Sequence, residues 1–263
     1  MNWAETIILV LSGVLVGFIN TLAGGGTIIT ISLLLFLGLP AGVANGTNRI
    51  AVVFQNLVAV LSFKRQKILV FNKSIVYALP TTIGSIVGAL VATKFNEGLL
   101  EKCIAFVMVL MLFFLVYKPE RWLKGRPDLQ EKNISWIQVV IYLLIGFYGG
   151  FIHMGVGFFI LAALVLSSGY DLIHANAIKN LLVLIYSPFA LAVFMLSGQV
   201  DYKTGLILST GNVLGAWLAT KYAVKWGTNF VRWVLVVFII ITVFQLLGLI
   251  DFTSMFRLVV PGP

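Results

Sequence analysis

Charged residues are scarce in this chain. Asp, Glu, Lys and Arg make up 10% of its 263 residues, against about a quarter of a soluble domain, whereas 60% of the residues are hydrophobic. So few charges cannot cover the surface of a soluble protein, and the composition therefore indicates an integral membrane protein. The apolar runs are continuous rather than alternating, which favours an all-α polytopic membrane protein over a β-barrel.

Residues that carry enzymatic chemistry are also scarce. The chain has one cysteine, Cys103, and two histidines, His153 and His174, so the sequence has no internal disulfide and no histidine-rich metal motif. The acidic residues lie at the ends of apolar runs or in loops, which leaves no paired carboxylates inside the apolar segments. The sequence predicts no cofactor and no metal site, and a membrane-embedded enzyme is the least favoured of the alternatives.

Basic residues outnumber acidic ones, giving a net charge of +9. In a soluble protein this excess would suggest a nucleic-acid partner, but in an apolar chain it is typical of loop charges that set membrane topology. We therefore expect no nucleic-acid binding. The expected partners are the lipid bilayer and a small anionic substrate, and a homo-oligomer is left open.

Glycine-rich stretches interrupt two apolar segments, at 24–26 and 153–157. The apolar run after each interruption is too short to cross a bilayer comfortably, which takes about 20 residues. A hydrophilic stretch separates the two regions. We divide the chain into a first transmembrane repeat at 1–117, a basic cytoplasmic linker at 118–133 and a second transmembrane repeat at 134–263. We expect about eight transmembrane helices, within a range of roughly seven to ten.

Ordered matches between the halves indicate an internal duplication. Gly17 corresponds to Gly146, and the segment ANGTNR at 44–49 corresponds to ANAIKN at 175–180. The segment GSIVGALVATK, which begins at Gly84, likewise corresponds to GNVLGAWLATK, which begins at Gly211. Duplicated halves with interrupted apolar segments are typical of secondary transporters, whose site lies at the repeat interface.

Loop charges favour inverted repeats. The loop at 64–73 contains basic residues and no acid, which predicts a cytoplasmic position. Lys221 and Lys225 indicate that the loop at 221–228 is also cytoplasmic, whereas the corresponding loop after Lys94 is predicted outside. Inversion requires each interrupted pair to form two short crossings or a re-entrant hairpin. One long broken helix per pair would make the halves parallel.

Polar residues at the interruptions form the candidate substrate site. Glycine lets non-helical backbone approach a ligand closely, although a turn outside the membrane is the alternative. Arg49 and Lys179 each lie about five residues into an apolar run. Two cations at that depth would suit an oxyanion, and the alternative is that both side chains snorkel to the membrane surface. His153 is a candidate proton carrier, or a histidine that only packs. The predicted substrate-binding residues are Asn20, Gly24, Gly25, Gly26, Thr27, Asn45, Thr47, Asn48, Arg49, Gln55, His153, Gly155, Asn176, Lys179 and Asn180.

The chain resembles the sulfite exporter TauE/SafE family. Family members carry a Gly-Phe-x-x-x-x-x-Gly-Gly-Gly pattern, present here from Gly17 to Gly26, and an Ala-x-Gly-Thr element, present at 44–47. The resemblance implies a multi-pass protein of the prokaryotic cytoplasmic membrane. It also implies transport, mostly outward, of small anions such as sulfite, sulfonates or sulfoacetate.

The second half departs from this pattern. Ile178 stands where the first half has Thr47, and Met154 and Val156 interrupt the glycines. The departure weakens the expectation of two equal half-sites and leaves the particular anion open. We expect a secondary transporter of a small anion, acting as an exporter. The alternative is a passive anion channel, whose flux would not saturate and would not respond to a pH gradient.

Overall fold

The structure is a computed structural model that describes residues 3–22, 24–96, 98–100, 103 and 134–222. Every regular element in this part of the chain is a helix, with no strand. The prediction of an all-helical chain is therefore confirmed for the described residues. The linker predicted at 118–133 and most of the loop predicted at 221–228 lie outside them, as do the last residues of the first predicted repeat, 104–117, and of the second, 223–263.

The helices are labelled in chain order. They are α1 Trp3–Leu22, α2 Thr27–Phe36, α3 Ala41–Arg65, α4 Phe71–Lys94, α5 Trp136–Phe151, α6 Val156–Ala162 with a π-helical turn at Ala163–Ser167, α7 Leu172–Leu196, and α8, described at 202–222. Three described stretches are long and apolar enough to cross a membrane: α1, the Ser74–Lys94 part of α4, and α7. The boundaries agree closely with the apolar runs in the sequence.

Local sequence signals set the helix ends. The Asp171 side chain accepts hydrogen bonds from the first backbone N–H groups of α7, at 3.0 and 3.1 Å, and so caps that helix. Ser135 and Gln138 form a capping box at the start of α5. The chain leaves α2 through Gly38, whose φ of 84° is in the left-handed region that ends helices.

Each interruption turns the chain back on itself. In the first half, a Cβ added to Gly26 would lie 2.8 Å from the Val16 carbonyl oxygen, well before the end of α1. In the second half, the Gln138 side chain donates to the Ser167 carbonyl oxygen at 2.7 Å, which joins the start of α5 to the end of the π-helical turn. We term α1–α2 the first hairpin and α5–α6 the second hairpin. The alternative of one long broken helix per pair is wrong.

Glycines bring helices of opposite halves into backbone contact. A Cβ added to Gly17 of α1 would lie 2.2 Å from a carbonyl oxygen of α8, and one added to Gly150 of α5 would lie 2.0 Å from a carbonyl oxygen of α4. Real Cβ atoms do not approach so closely, so these spacings require glycine. Gly84 and Gly88 of α4 meet α5 in the same way, as their spacing predicts.

The centre of the bundle is the crossing of α3 and α7. A Cβ added to Gly46, near the start of α3, would lie 3.1 Å from the side chain of Phe194, near the end of α7. Phe63, near the end of α3, shares a buried apolar cluster with Ala177, near the start of α7. The two helices therefore run antiparallel. Because they carry the corresponding segments 44–49 and 175–180, those segments lie toward opposite ends of the crossing.

The bundle has an apolar surface, and its largely apolar interior contains buried polar and charged side chains. Ile7, Leu11 and Leu15 form an exposed stripe along α1, with exposed fractions of 56%, 64% and 52%. Arg49 and Lys179 are instead buried, at 0% and 1% exposure. Water-soluble proteins have the opposite distribution, whereas lipid tails solvate an apolar exterior.

Candidate functional site

The tips of the two hairpins meet in direct backbone contact. Gly24 lies in the first tip with a φ of 86°, and a Cβ added to it would lie 2.4 Å from the Cα atom of Gly157 in the second hairpin. A Cβ added to Gly25 would lie 2.5 Å from the ring of Phe158. The predicted site residues Gly24 and Gly25 therefore lie where the two halves of the chain touch.

Arg49 binds the end of α5. Its guanidinium donates to the carbonyl oxygens of Gly149 and Gly150, at 3.1 and 2.5 Å. Asn45, one turn earlier on α3, donates from its side chain to the Phe151 carbonyl oxygen at 2.7 Å and accepts from Arg49 at 3.3 Å. These carbonyls belong to the last turn of α5, where a helix offers them no internal partner.

Lys179 binds the end of α1 in the same manner. Its ammonium donates to the carbonyl oxygens of Asn20 and Thr21, at 2.7 and 2.9 Å. The Asn180 side chain also donates to the Thr21 carbonyl oxygen, at 3.1 Å, and to the carbonyl oxygen of Asn176 one turn earlier. Four of the predicted site residues are thus brought together at the end of α1.

The carbonyls that the two cations bind are equivalent in the duplicated sequence, although Arg49 and Lys179 themselves lie one position apart in the aligned segments 44–49 and 175–180. The pairing of Gly17 with Gly146 aligns the segment 20–21 with the segment 149–150, so each cation binds the corresponding carbonyls of the opposite half. The C-terminus of a helix carries about half a negative charge, which a cation stabilises. We term the Arg49 and Lys179 contacts the two cross-caps. One lies at the end of α1 and the other at the end of α5, the helices that lead into the two hairpin tips.

Several buried polar atoms beside the cross-caps have no hydrogen-bond partner among the described residues. Both polar atoms of the Asn48 amide are of this kind, as are Arg49 Nε and the side-chain oxygens of Asn176 and Asn180. Lys179 uses two of its three N–H donors. Unpaired buried polar groups lower stability, so each of these atoms calls for a partner such as a water molecule, an ion or a polar ligand.

Three comparisons with known proteins bear on this arrangement. The family model described as Sulfite exporter TauE/SafE matches residues 9–246.

The chain belongs to the TauE/SafE family.

Among its relatives, a probable membrane transporter protein, ORF9, of Sinorhizobium sp is 30% identical over 233 residues, which covers 88% of each chain. A probable membrane transporter protein of Haemophilus influenzae is 28% identical over 84% of this chain and 86% of the relative. The Escherichia coli K12 protein YfcA, also described as a probable membrane transporter, is 26% identical over 85% of this chain and 82% of its own length. No solved structure gives a significant match.

This TauE/SafE protein is accordingly a membrane transporter. The family match, the described relatives and the apolar helices agree on that class. The resemblance predicted from the glycine pattern and the Ala-x-Gly-Thr element is confirmed.

Other predicted site residues in this TauE/SafE chain hold the hairpins closed. The Asn20 side chain accepts from the Thr27 backbone N–H at 3.2 Å and donates to the Thr27 hydroxyl at 3.0 Å, which caps the start of α2. His153 and Gly155 both have left-handed backbone, with φ of 66° and 65°, and form the turn of the second hairpin. His153 Nδ1 lies 3.2 Å from the Tyr186 hydroxyl.

Thr47 and Gln55 contact α8 and the residue just before it instead of a hairpin end. The Thr47 hydroxyl accepts from the Asp201 backbone N–H at 2.9 Å. The Gln55 side-chain oxygen accepts from Asn212 at 3.1 Å. The predicted residues of α3 are therefore divided between two neighbours, with Asn45 and Arg49 toward α5 and Thr47 and Gln55 toward α8.

Three buried residues of the site escaped sequence reasoning. The ring of Phe194 lies under the Arg49 guanidinium, 4.6 Å from its carbon to the ring centroid. Asn212 pairs with Gln55, and Tyr186 bonds His153. Asn212 was detectable in principle, because it is an amide inside a glycine-rich apolar helix. Among the described residues, no group of three His, Cys, Asp or Glu side chains is suited to a metal ion.

Proposed function

We propose that this membrane transporter is a secondary transporter that carries a small anion, such as sulfite, a sulfonate or sulfoacetate, out of a prokaryotic cell across the cytoplasmic membrane. The observation that carries the proposal is the reciprocal pair of buried cations, Arg49 and Lys179. Neither has a carboxylate partner among the described residues. An uncompensated charge is costly in an apolar interior. The helix ends compensate part of it, and an anion would compensate the rest.

The proposed anion position is beside the contact between the hairpin tips. The unpaired Asn48 amide and Arg49 Nε offer donors on one side, and the third Lys179 N–H offers one on the other. Charge-assisted hydrogen bonds to an oxyanion are stronger than neutral ones, and a guanidinium recognises planar oxygen pairs well. Backbone at Gly24 would approach such a ligand without steric hindrance from a side chain.

We further propose that the halves are inverted repeats within about eight transmembrane helices. The antiparallel crossing of α3 and α7 supports inversion, because these helices carry the corresponding segments 44–49 and 175–180. The reciprocal cross-caps support it as well. In inverted repeats, one half rocks against the other around a site at their interface, which exposes the site to each side in turn.

Flux measurements in proteoliposomes test the proposal. Purified protein should transport radiolabelled sulfite or a sulfonate faster than protein-free vesicles do, with a rate that saturates. Arg49→Ala should abolish this flux, and Arg49→Lys should retain part of it because a cation remains. Melting of each variant in detergent shows whether it is folded. Non-saturating flux that ignores a pH gradient would favour the channel alternative.

Ligand binding can be measured separately from flux. A ligand that binds the native state raises its stability by mass action, so the correct anion should raise the melting temperature. A screen with sulfite, thiosulfate, sulfonates and carboxylates would identify the anion class. The absence of both a thermal shift and flux with every one of these anions would contradict the proposal.

A further inference from the structure

The two cross-caps are equivalent in geometry but differ in chemistry. Arg49 and Lys179 each donate two hydrogen bonds to carbonyl oxygens at a helix end of the opposite half. A guanidinium keeps its charge under all conditions that a protein experiences, whereas an ammonium is able to lose a proton. Only the cap on the first hairpin is therefore able to change its charge.

Among the described residues, Lys179 has no acidic partner that would fix its protonation, and its hydrogen-bond acceptors are two backbone carbonyls. The nearest acid on the helix of Lys179 is Asp171 at the helix start, about 12 Å away along the axis of α7. On α1, Glu5 lies about 22 Å along the helix from Asn20, whose carbonyl oxygen Lys179 binds. The described titratable or charged side chains of the elements packed against α7 are Glu5 on α1, Arg49, Lys64 and Arg65 on α3, Tyr77 and Lys94 on α4, Tyr142 and Tyr148 on α5, and His153, Tyr170, Asp171, His174 and Tyr186 on the turns and on α7 itself.

We propose that Lys179 is the proton-binding site that couples anion movement to proton movement, an inference that rests on the proposed transport function. The protonated ammonium holds the end of α1 by charge-assisted hydrogen bonds. When Nζ gives its proton to water on the side to which the site is open, those hydrogen bonds become neutral and weaker. The first hairpin is then held less tightly, by neutral hydrogen bonds and by Asn180, while Arg49 continues to hold the second.

Electrostatics links this proton to the anion. Opposite charges stabilise each other strongly in a low-dielectric interior. An anion bound beside the hairpin tips therefore favours the protonated form of Lys179, and release of the anion favours loss of the proton. Proton and anion are carried together in the same direction, so export is driven by the concentration gradient of the anion and is opposed by a more acidic exterior. A monovalent anion carried with one proton moves no net charge, so its flux responds to the pH difference and not to the membrane potential.

Amide hydrogen exchange tests the proton site without any substrate. We would follow peptides over 19–28 and 148–158 in the same protein across a pH series, after correction for the intrinsic pH dependence of exchange. In the wild type, protection of the first hairpin tip should fall by about tenfold as pH rises, because the charge-assisted bonds weaken. The second tip, held by Arg49, should keep its protection and is the internal control.

Exchanging the two cations gives the decisive variants. Lys179→Arg should remove the pH dependence of the first tip, and Arg49→Lys should confer pH dependence on the second. His153→Gln should leave the first tip as pH-dependent as in the wild type. The proposal is overturned if neither tip of the wild type responds to pH, or if the response persists in Lys179→Arg.

Flux measurements then test the coupling itself. In proteoliposomes, wild-type flux of radiolabelled sulfite should respond to an imposed pH gradient and move protons, as read by an enclosed pH dye. In Lys179→Arg both responses should be lost, whatever sulfite flux the variant retains. An unchanged response to the gradient would refute the coupling role. If the wild type carries none of the anions, the proposed function fails, and the exchange measurement still decides whether Lys179 is a proton site.

Discussion

Gly24 and Gly157 lie so close together that a Cβ atom on either residue would stand 2.4 Å from the Cα atom of the other. The contact joins the tip of the first hairpin to the start of α6 in the second, with no side chain between the two backbones. A displacement of one hairpin tip toward the other therefore pushes directly on its backbone. This is the place where movement of one half would be transmitted to the other half.

The first prediction concerns this contact. Gly157→Ala adds one methyl group against the backbone of Gly24 and should destabilise the protein by about 1–3 kcal/mol through overpacking. Gly24→Ala adds the same clash and also strains a left-handed φ of 86°, which costs about 1–2 kcal/mol more. Thermal unfolding in detergent measures both variants.

Gly38→Ala is the matched control for Gly24→Ala. Gly38 has a similar φ of 84°, but a Cβ added there meets no atom of the described part of the chain within 4 Å. It should show the backbone strain alone. Equal losses of stability in Gly24→Ala and Gly38→Ala would mean that the hairpin contact contributes nothing.

A second prediction compares two asparagines on one turn of α3. Both are fully buried, but Asn45 donates to the Phe151 carbonyl oxygen, whereas Asn48 has no partner among the described residues. Asn48→Leu should keep or raise the melting temperature, because an apolar side chain of similar shape replaces an unpaired amide. It should also raise the KM for the anion at least tenfold, as a lost charged hydrogen bond does.

Asn45→Leu is the paired control and should lower the melting temperature, since it leaves a helix-end carbonyl without a donor. If Asn48→Leu lowers stability as much as Asn45→Leu and leaves KM unchanged, the Asn48 amide has a structural partner and no ligand role.

The sequence predicts which helices and side chains belong to this site better than it predicts the atoms that those side chains contact. Apolar runs and glycines locate the two interruptions, and the repeated segments locate Arg49 and Lys179 near the starts of two equivalent helices. The carbonyls that the cations bind are about a hundred residues away or more, so no local pattern reveals them. A backbone carbonyl has no sequence signature, since every residue carries one.

The glycine contacts show the same limit. The spacing of Gly84 and Gly88 predicts a close helix partner, and the structure confirms it. The spacing does not say which helix is the partner. That choice depends on which other helix presents a complementary small-residue face, here α5 of the opposite half, and it is settled only when all helices pack together.

A third prediction concerns the Arg49 cross-cap. Arg49→Gln removes the donors to Gly149 and Gly150 and the positive charge at the end of α5, and it should destabilise the protein by about 2–4 kcal/mol. Arg65→Gln makes the same chemical change at the exposed end of the same helix and should alter stability by less than about 0.5 kcal/mol. Thermal unfolding compares them. A loss in Arg49→Gln no larger than in Arg65→Gln would show that the cap is energetically unimportant.

A fourth prediction concerns the glycine packing between opposite halves. Gly150→Ala and Gly17→Ala should each separate a helix pair and reduce both folded yield and flux, because their Cβ atoms would lie 2.0 and 2.2 Å from carbonyl oxygens. Gly98→Ala should have little effect, since among the described residues the atom near an added Cβ is the Asn96 side-chain oxygen, at 3.6 Å. Fluorescence-detected size-exclusion chromatography measures folded yield. Normal yield and flux in Gly150→Ala would contradict this packing.

The same glycine packing has a consequence for biosynthesis. The ribosome delivers α1 to the membrane first, but the surface that fits the Gly17 face of α1 belongs to α8, which is made much later. In a nascent chain, the Gly17 face of α1 therefore lies in the bilayer without its packing partner until α8 is inserted. A chain truncated before residue 202 should be recognised and degraded, whereas two half-chains synthesised from separate genes should rescue each other.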